Sequence, residues 1–403
     1  MAGISGLGTT YNLPNFVGPL IGITPNDTPF LSAIGGLTGG KRATAVQHEW
    51  QTYDLRDATT NNVVLEGAAA PTAVGRTRSR VANILEIHQS KVDTSYTKLA
   101  ATGQIGATTL SLGDNPVLDE QVWQVRNELA AMARDIEKSF ISGVYQAPSD
   151  NTTARQTRGI QEASATNVSD IAGTAVALAT SAAADDIIDT ATAHGFSAND
   201  QVKFTSLTGG TGLTAETVYY VSSTSLAAQT FRVSATRGGA ALGFSADITA
   251  GNVVKLGTLS ETYILGLLQT IWEAGGIRES ETATIMANAW GKRMLTSIFI
   301  TAKGYAESTR NVGGVSLQTI ETDFGKLNVM LNRYMPANSI QVVSLEQCAP
   351  VFLEIPGKGF MFLEPLAKTG ASEASQLYGE VGLEYGNELA HGKITSMATQ
   401  TQG

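Results

Sequence analysis

The sequence predicts an α+β protein built of several units, with an all-β segment lodged inside the remainder. Three observations carry this: period-two runs between Thr44 and about Lys98, one long helical repeat at 115–142, and a Thr-, Ser-, Ala- and Gly-rich stretch at about 165–258 whose short strands interrupt a pattern that resumes afterwards. At 403 residues the chain is too long for one ordinary core, so two or three folding units are expected.

Residues 1–45 are rich in Gly, Pro, Asn and Thr and read as an extended arm with one short helix at TPFLSAIG. An arm of this kind needs a surface to lie on, which suits subunits that lace together. Residues 46–98 read as an extended hairpin, VQHEWQTYDL pairing with RTRSRVANILEIHQSKVDTSY across the turn-rich DATTNNVVLEGAAAPTAVG. Alternation along the second strand puts Val81, Leu85 and Ile87 on one face, and Arg76, Arg78, Arg80, Glu86 and His88 on the other. A lone hairpin is marginal in water, so this one is expected to pack on a neighbour.

Within 99–164, the stretch NPVLDEQVWQVRNELAAMARDIEKSFIS gives the clearest helix. Leu118, Val122, Val125, Leu129, Met132, Ile136 and Phe140 recur at three- and four-residue steps, Asp114 or Asn115 can cap the start with Pro116 in the first turn, and Gly143 can end it. Such a helix spans roughly 40 Å and reads as a spine. The segment 165–258 carries strands at DQVKFTSL, TVYYVSST and QTFRVSAT, a small β-rich guest facing outward. From 259 to 403 helix and strand alternate: SETYILGLLQTIWEAGG as helix, TATIMAN as a buried strand, AWGKRMLTSIFITAKG as helix, SLQTIETDFGKLNVMLNR as a hairpin, SIQVVSL as a strand, and a strand-like close.

Composition narrows the function. Hydrophobic residues make up 42% but charged residues only 16%, against about a quarter in a typical soluble domain. Much of the surface is therefore expected to be covered by partners. A net charge of −9 argues against a protein whose task is to grip nucleic acid, which needs a basic stripe. One cysteine, Cys348, excludes an internal disulfide framework, fits a reducing cytoplasm and reads as a buried thiol. No apolar run approaches the ~18 residues of a membrane helix, and FVGPLIGI is too short and lacks a preceding basic residue to act as a signal peptide.

Catalytic patterns are missing from the sequence. Four histidines, at 48, 88, 194 and 391, and one cysteine supply no HExxH or Cys-rich metal set. Asp323-Phe324-Gly325 stands without the other kinase loops and reads as a hairpin turn, and GGTGLTAE lacks phosphate-loop spacing. The carboxylate pairs Asp119/Glu120 and Asp135/Glu137 lie on the long helix, where they most simply form its solvated or partner-facing side. Neither a catalytic residue nor a cofactor or metal ligand is assigned.

The closing stretch PLAKTGASEASQLYGEVGLEYGNELAHGKI resembles the end signature of a phage major capsid family, supported by TDFGKLNVMLNRYMP, EAGGIRESETATIMANAWGKRMLTSI and NDTPFLSAIG in the family's order. That resemblance implies the Hong Kong 97-type fold: arm, extended loop, spine helix, peripheral domain and axial domain, here with an inserted β-rich domain. It also implies a structural protein that assembles with itself, as hexamers and pentamers, into an icosahedral head enclosing double-stranded DNA without sequence-specific binding. The resemblance implies a separate scaffolding protein, or assembly without one, because no hundred-residue segment precedes the arm; a portal and a cement protein are the other partners it offers. The place implied is the virion, after synthesis in the host cytoplasm. Candidate contacts between subunits are Arg76, Arg78 and Arg80, Glu66 in the hairpin turn, and Asp119 and Glu120 at the helix start; Tyr219 and Tyr220 are the candidate exposed surface of the inserted segment. The competing readings are a tail-tube or decoration protein and, from a different class, a glycan-binding adhesin or hydrolase that would stack sugar on those two tyrosines.

Overall fold

A computed structural model describes residues 27–53, 58, 62–73, 75–100, 120–278, 283–301, 319–368 and 370–399. In chain order the elements are α1 (Pro29–Ala33), β1 (Lys41–Ala43), β2 (Gln47–Tyr53), β3 (Arg78–Ile84), β4 (Glu86–Ser95), α2 (Tyr96–Ala100), α3 (Glu120–Ser142) and α4 (Ile160–Ala163). There follow β5 (Val168–Asp170), β6 (Val176–Ala177), β7 (Ile188–Asp189), β8 (Gln201–Gly209), β9 (Val218–Val221), β10 (Thr230–Phe231), β11 (Val233–Ser234) and β12 (Ile248–Lys255). The last part holds α5 (Glu261–Glu273), β13 (Ala283–Ala287), α6 (Ala289–Thr296), β14 (Thr319–Thr322), β15 (Gly325–Leu331), β16 (Ile340–Ser344), β17 (Ala349–Leu353), β18 (Met361–Pro365), β19 (Ser372–Glu384) and β20 (Gly392–Thr395).

These strands sort into three main sheets, a short antiparallel β7–β10 pair and a projecting ribbon. The first sheet runs β1-β17-β19-β18, and β4 pairs with β19 from Ser95 opposite Ser372 to Glu86 opposite Val381. Across one face lies α3, whose Met132, Ile136, Phe140 and Ile141 are buried with Phe30, Leu31, Phe352 and Leu377. Burial of side chains this size contributes about 1.5–3 kcal/mol each, which holds the short α1 against the long helix. The second sheet, β14-β15-β13-β16-β20-β5, packs under α5 and α6 through Ile264, Leu268, Ile271, Leu295, Ile285 and Val342. All five residues of β13 and of β16 are buried, the polar Thr284, Gln341 and Ser344 included, as in central strands covered on both faces. The third sheet, β11-β9-β8-β12-β6, encloses its own cluster of Val202, Phe204, Tyr219, Phe231, Val233, Ile248 and Val253.

Several expectations change. The hairpin's second strand is two strands: β3 pairs with β2, from Gln47 opposite Ile84 to Tyr53 opposite Arg78, whereas β4 leaves to join β19. Leu85, fully buried, interrupts the ladder between them and shifts the alternation. Consequently Ile87 is 46% exposed and Glu86 only 6%, the reverse of the predicted faces. The QTFRVSAT strand also divides, into β10 and β11, and β12 emerges at ITAGNVVK, where no strand was predicted. Residues 168–170 do not belong with the Thr-rich stretch that follows: β5 runs parallel to β20 at the edge of the second sheet, and Ile171 lies in that sheet's core. Helix α3 is described from Glu120, so the predicted cap and Pro116 lie outside the described residues, as do residues 1–26 of the arm. At its other end α3 stops before Gly143, where a Cβ would collide with the Ser139 and Thr157 carbonyls.

Candidate assembly surfaces

The β2–β3 ribbon is fixed to the body at its root. Asn83 makes four hydrogen bonds there: Oδ1 accepts from the amides of Ile84 (2.9 Å) and Arg158 (2.8 Å), and Nδ2 donates to the carbonyls of Arg158 (3.1 Å) and Leu383 (2.7 Å). On the partner strand Trp50 Nε1 donates to the Gly386 carbonyl at 2.7 Å, and the indole meets the Tyr385 ring edge-on with centroids 4.9 Å apart. His48 and Lys41 converge on the buried Glu384, at 2.8 and 2.6 Å. Such charge-assisted contacts in a half-buried site hold the ribbon more firmly than surface pairs do.

Beyond the root the ribbon is exposed. Arg80 lies 3.3 Å from Glu49 on the paired strand and Arg78 donates to Gln51 Oε1 at 2.9 Å, so both cross-strand contacts are internal to the ribbon. Arg76 is exposed and precedes β3, and Glu66 is exposed in the turn. The sequence reading missed the apolar residues beside it: Val63 and Leu65 are 86% exposed and Val64 65%. Three consecutive large apolar side chains thus stand in water in the turn of the ribbon.

A second uncovered stripe lies on α3. Its C-terminal half is buried as predicted, yet Val122 (46%) and Leu129 (38%), from the same periodic set, face outward. Beside them the helix and β4 border an open polar groove of about 520 Å³ lined by Lys91, Asp93, Lys98, Glu120, Gln124 and Glu128. Glu120 accepts from Gln124 Nε2 at 2.9 Å and stands 4.0 Å from Lys98, while Asp119 lies outside the described residues. Hydrogen bonds from Ser372 and Lys91 hold the Asp93 carboxyl below its usual range, so the groove keeps an anionic side.

The two tyrosines of the inserted segment do not form a shared platform. They are consecutive on β9 and point to opposite faces. Tyr219 is 5% exposed, accepts the Thr214 amide at 2.9 Å and packs near Phe204. The Tyr220 hydroxyl accepts from Gln201 Nε2 at 2.9 Å. Sugar stacking across the pair is therefore ruled out by burial.

Among the histidines, His391 is fully buried, with Nε2 2.7 Å from the Tyr385 carbonyl and Nδ1 accepting from the Ser344 amide at 3.2 Å. It joins the end of β19 to β16, linking the first two sheets by bonds to their backbone. Cys348 is buried, and its thiol is pushed far up by burial and by the Glu384 charge. No group of three or more potential metal ligands occurs among the described residues.

Residues 3–398 match the family of the SU10 major capsid protein. The chain belongs to that family. None of the curated proteins matches it in sequence. Among solved structures, the capsid asymmetric unit of cyanophage A-1(L) aligns over 96% of this chain and 98% of its own, at 12% identity and a TM-score of 0.51. The capsid of an empty GTA particle aligns over 98% of each chain, at 12% identity and a TM-score of 0.50. These likenesses show the fold, which is the Hong Kong 97 type. The capsid protein is thus a shell-forming subunit of a tailed-phage icosahedral head and resides in the virion. It is a structural protein, and the tail-tube, decoration and adhesin readings fall with the family match.

Proposed function

We propose that the capsid protein assembles as hexamers and pentamers around double-stranded DNA, with a scaffolding protein acting in trans, a portal and a cement protein as partners. Synthesis takes place in the host cytoplasm. In this reading 1–45 is the arm, 46–98 the extended loop, 99–164 the spine helix and the start of the peripheral domain, and 259–403 the axial domain with the rest of the peripheral one. The inserted domain is narrowed to about 173–255, because β5 and Ile171 belong to the second sheet.

One observation supports the contact scheme most directly. The β2–β3 ribbon is rooted by Asn83, Trp50 and His48 but presents Val63, Val64, Leu65, Arg76 and Arg78 to solvent. We assign this ribbon to a neighbouring subunit, its apolar turn covering apolar surface and its arginines facing carboxylates near the start of α3, Glu120 among them. Exposed ion pairs contribute only about 0–1 kcal/mol each, yet the contact repeats in every subunit of a closed shell. Replacing Arg76, Arg78 and Arg80 together with Ala should leave a folded subunit that yields few closed shells in negative-stain electron microscopy. Normal shells from the triple variant would assign those arginines to ordinary surface.

A further inference from the structure

The third sheet is joined to the body by two chain crossings that lie side by side: the Gly173 amide donates to the Lys255 carbonyl at 2.8 Å. Two adjacent tethers leave one rotation free, as a pair of hinge pins does. Apolar packing does not remove that freedom, because the buried cluster of this sheet shares no residue with the cluster under α5 and α6. A third attachment, off the line of these two crossings, fixes the direction in which the segment points.

The segment Ser396–Thr399 supplies it. Met397 is fully buried in the second sheet's core, and its amide donates to the Asn338 carbonyl at 3.0 Å. The Gly257 amide donates to the Ser396 carbonyl at 3.0 Å, the Ala398 amide returns to the Gly257 carbonyl at 2.7 Å, and Trp290 Nε1 on α6 donates to the Ala398 carbonyl at 3.2 Å. Gly257 tolerates no side chain here, since a Cβ would strike the Ile171 carbonyl. The next residue crosses to the guest sheet. Gln201, 4% exposed at the start of β8, accepts the Thr399 amide through Oε1 at 2.6 Å, while its Nε2 donates to the Thr399 hydroxyl, also at 2.6 Å. Tyr220 takes the other Nε2 proton, and the Gln201 carbonyl accepts the Leu256 amide at 2.8 Å, so the side chain is held in a single orientation.

We infer that Ser396–Thr399 is a strap that locks the inserted sheet to the axial body through the two-point Gln201–Thr399 contact, and so sets where that sheet points on the particle. Side chain and backbone of one residue are both engaged, which makes the lock directional rather than merely adhesive. Without it the inserted sheet keeps its own core and swings about the Gly173–Lys255 pair.

The test uses full-length shells carrying Gln201→Ala, and separately a chain ending at Ala398, which leaves the inserted segment's sequence untouched. Each is compared with the natural chain by electron cryomicroscopy and by amide exchange. With the strap broken, density for 173–255 should blur while that of the surrounding shell stays sharp. Exchange at Gly257, whose amide is bonded to the strap, should rise by roughly tenfold, as for a local opening that has lost one or two hydrogen bonds, while exchange at Gly173, in the hinge itself, stays unchanged. Exchange at the core amides of Phe204 and Val253 should stay unchanged. Inserted-segment density as sharp as in the natural particle, in the shortened chain or in Gln201→Ala, would overturn the inference. Shell formation itself reports on the assembly reading, so the two are separable.

Discussion

Asn332 Nδ2 lies 2.5 Å from Glu137 Oε1, where both side chains are fully buried between α3 and the end of β15. The same carboxylate accepts the amides of Phe30 (2.9 Å) and Leu31 (2.6 Å) in the first turn of α1. One side chain therefore ties α3, α1 and the end of β15 in the second sheet together. Asp135/Glu137 read in the sequence as the helix's outer side; the apolar period of α3 instead carries Glu137 inward, one position past Ile136, against helix-end amides that compensate its burial.

Glu137 gives a signed pH dependence. Burial raises its pKa, and the three hydrogen bonds only partly offset that. The folded state then holds the proton more tightly than the unfolded chain, so this residue's contribution is fully present below the ordinary carboxylate range and is lost as pH rises through the folded-state value. Asn332→Ala removes one charged hydrogen bond and should cost about 1.5–3 kcal/mol. Thermal unfolding of the soluble subunit should show that loss, and it should be smaller at pH 4 than at pH 7. An equal loss at both would show that the Asn332 bond does not bias the protonation of Glu137.

Asn83 predicts a separable effect on the ribbon. Asn83→Ala strands two backbone amides and two carbonyls at the root, at a cost on the order of 3 kcal/mol if water does not replace the lost partners. Amide exchange in 47–53 and 78–84 should increase before the rest of the first sheet responds. Uniform loosening of the whole sheet would show that the root is not an independent anchor.

Long, strongly periodic elements were legible in the sequence. The α3 repeat, the buried β13 and β16, and the hairpin turn at Asp323 all come from local pattern, and local pattern survives folding. What escaped was set by distant partners. Leu85 breaks the ribbon because β4 has β19 to pair with across nearly three hundred residues. Likewise β5 was assigned to the Thr-rich stretch because its partner β20 lies at the other end of the chain. The exposed Val63-Val64-Leu65 turn was present as letters, but its exposure depends on how the described residues pack elsewhere in the subunit and leave it uncovered.

The exposed stripe on α3 separates assembly from stability. Val122 and Leu129 lie outward in the single subunit, so replacing both with Lys should change its unfolding midpoint little, since surface substitutions away from special features stay within about 0.5 kcal/mol each. If a neighbour covers that stripe, two charges buried without partners should abolish closed shells. Size-exclusion chromatography of the variant should then show only soluble subunits or small oligomers. Full-sized particles would leave the stripe outside every subunit contact.

Removal of the inserted sheet discriminates between two sets of boundaries. Cutting from Ser164 to Thr258 would delete β5, which pairs with β20 through Val168, Ser169 and Asp170, and would take Ile171 from the core beneath α5. Loss of an edge strand and a buried isoleucine, the latter alone worth about 2–5 kcal/mol on truncation, should prevent folding. Deleting 174–254 instead and bridging Gly173 to Lys255 with a short Gly/Ser linker keeps both, because those two residues already share a 2.8 Å hydrogen bond. Segments whose ends lie close together at a surface are the ones a fold can lose. The shorter deletion should therefore give folded subunits that form shells, while the longer one gives insoluble chain. If both deletions fail alike, the third sheet is part of the folding unit of the second, and its separate buried cluster does not amount to independence.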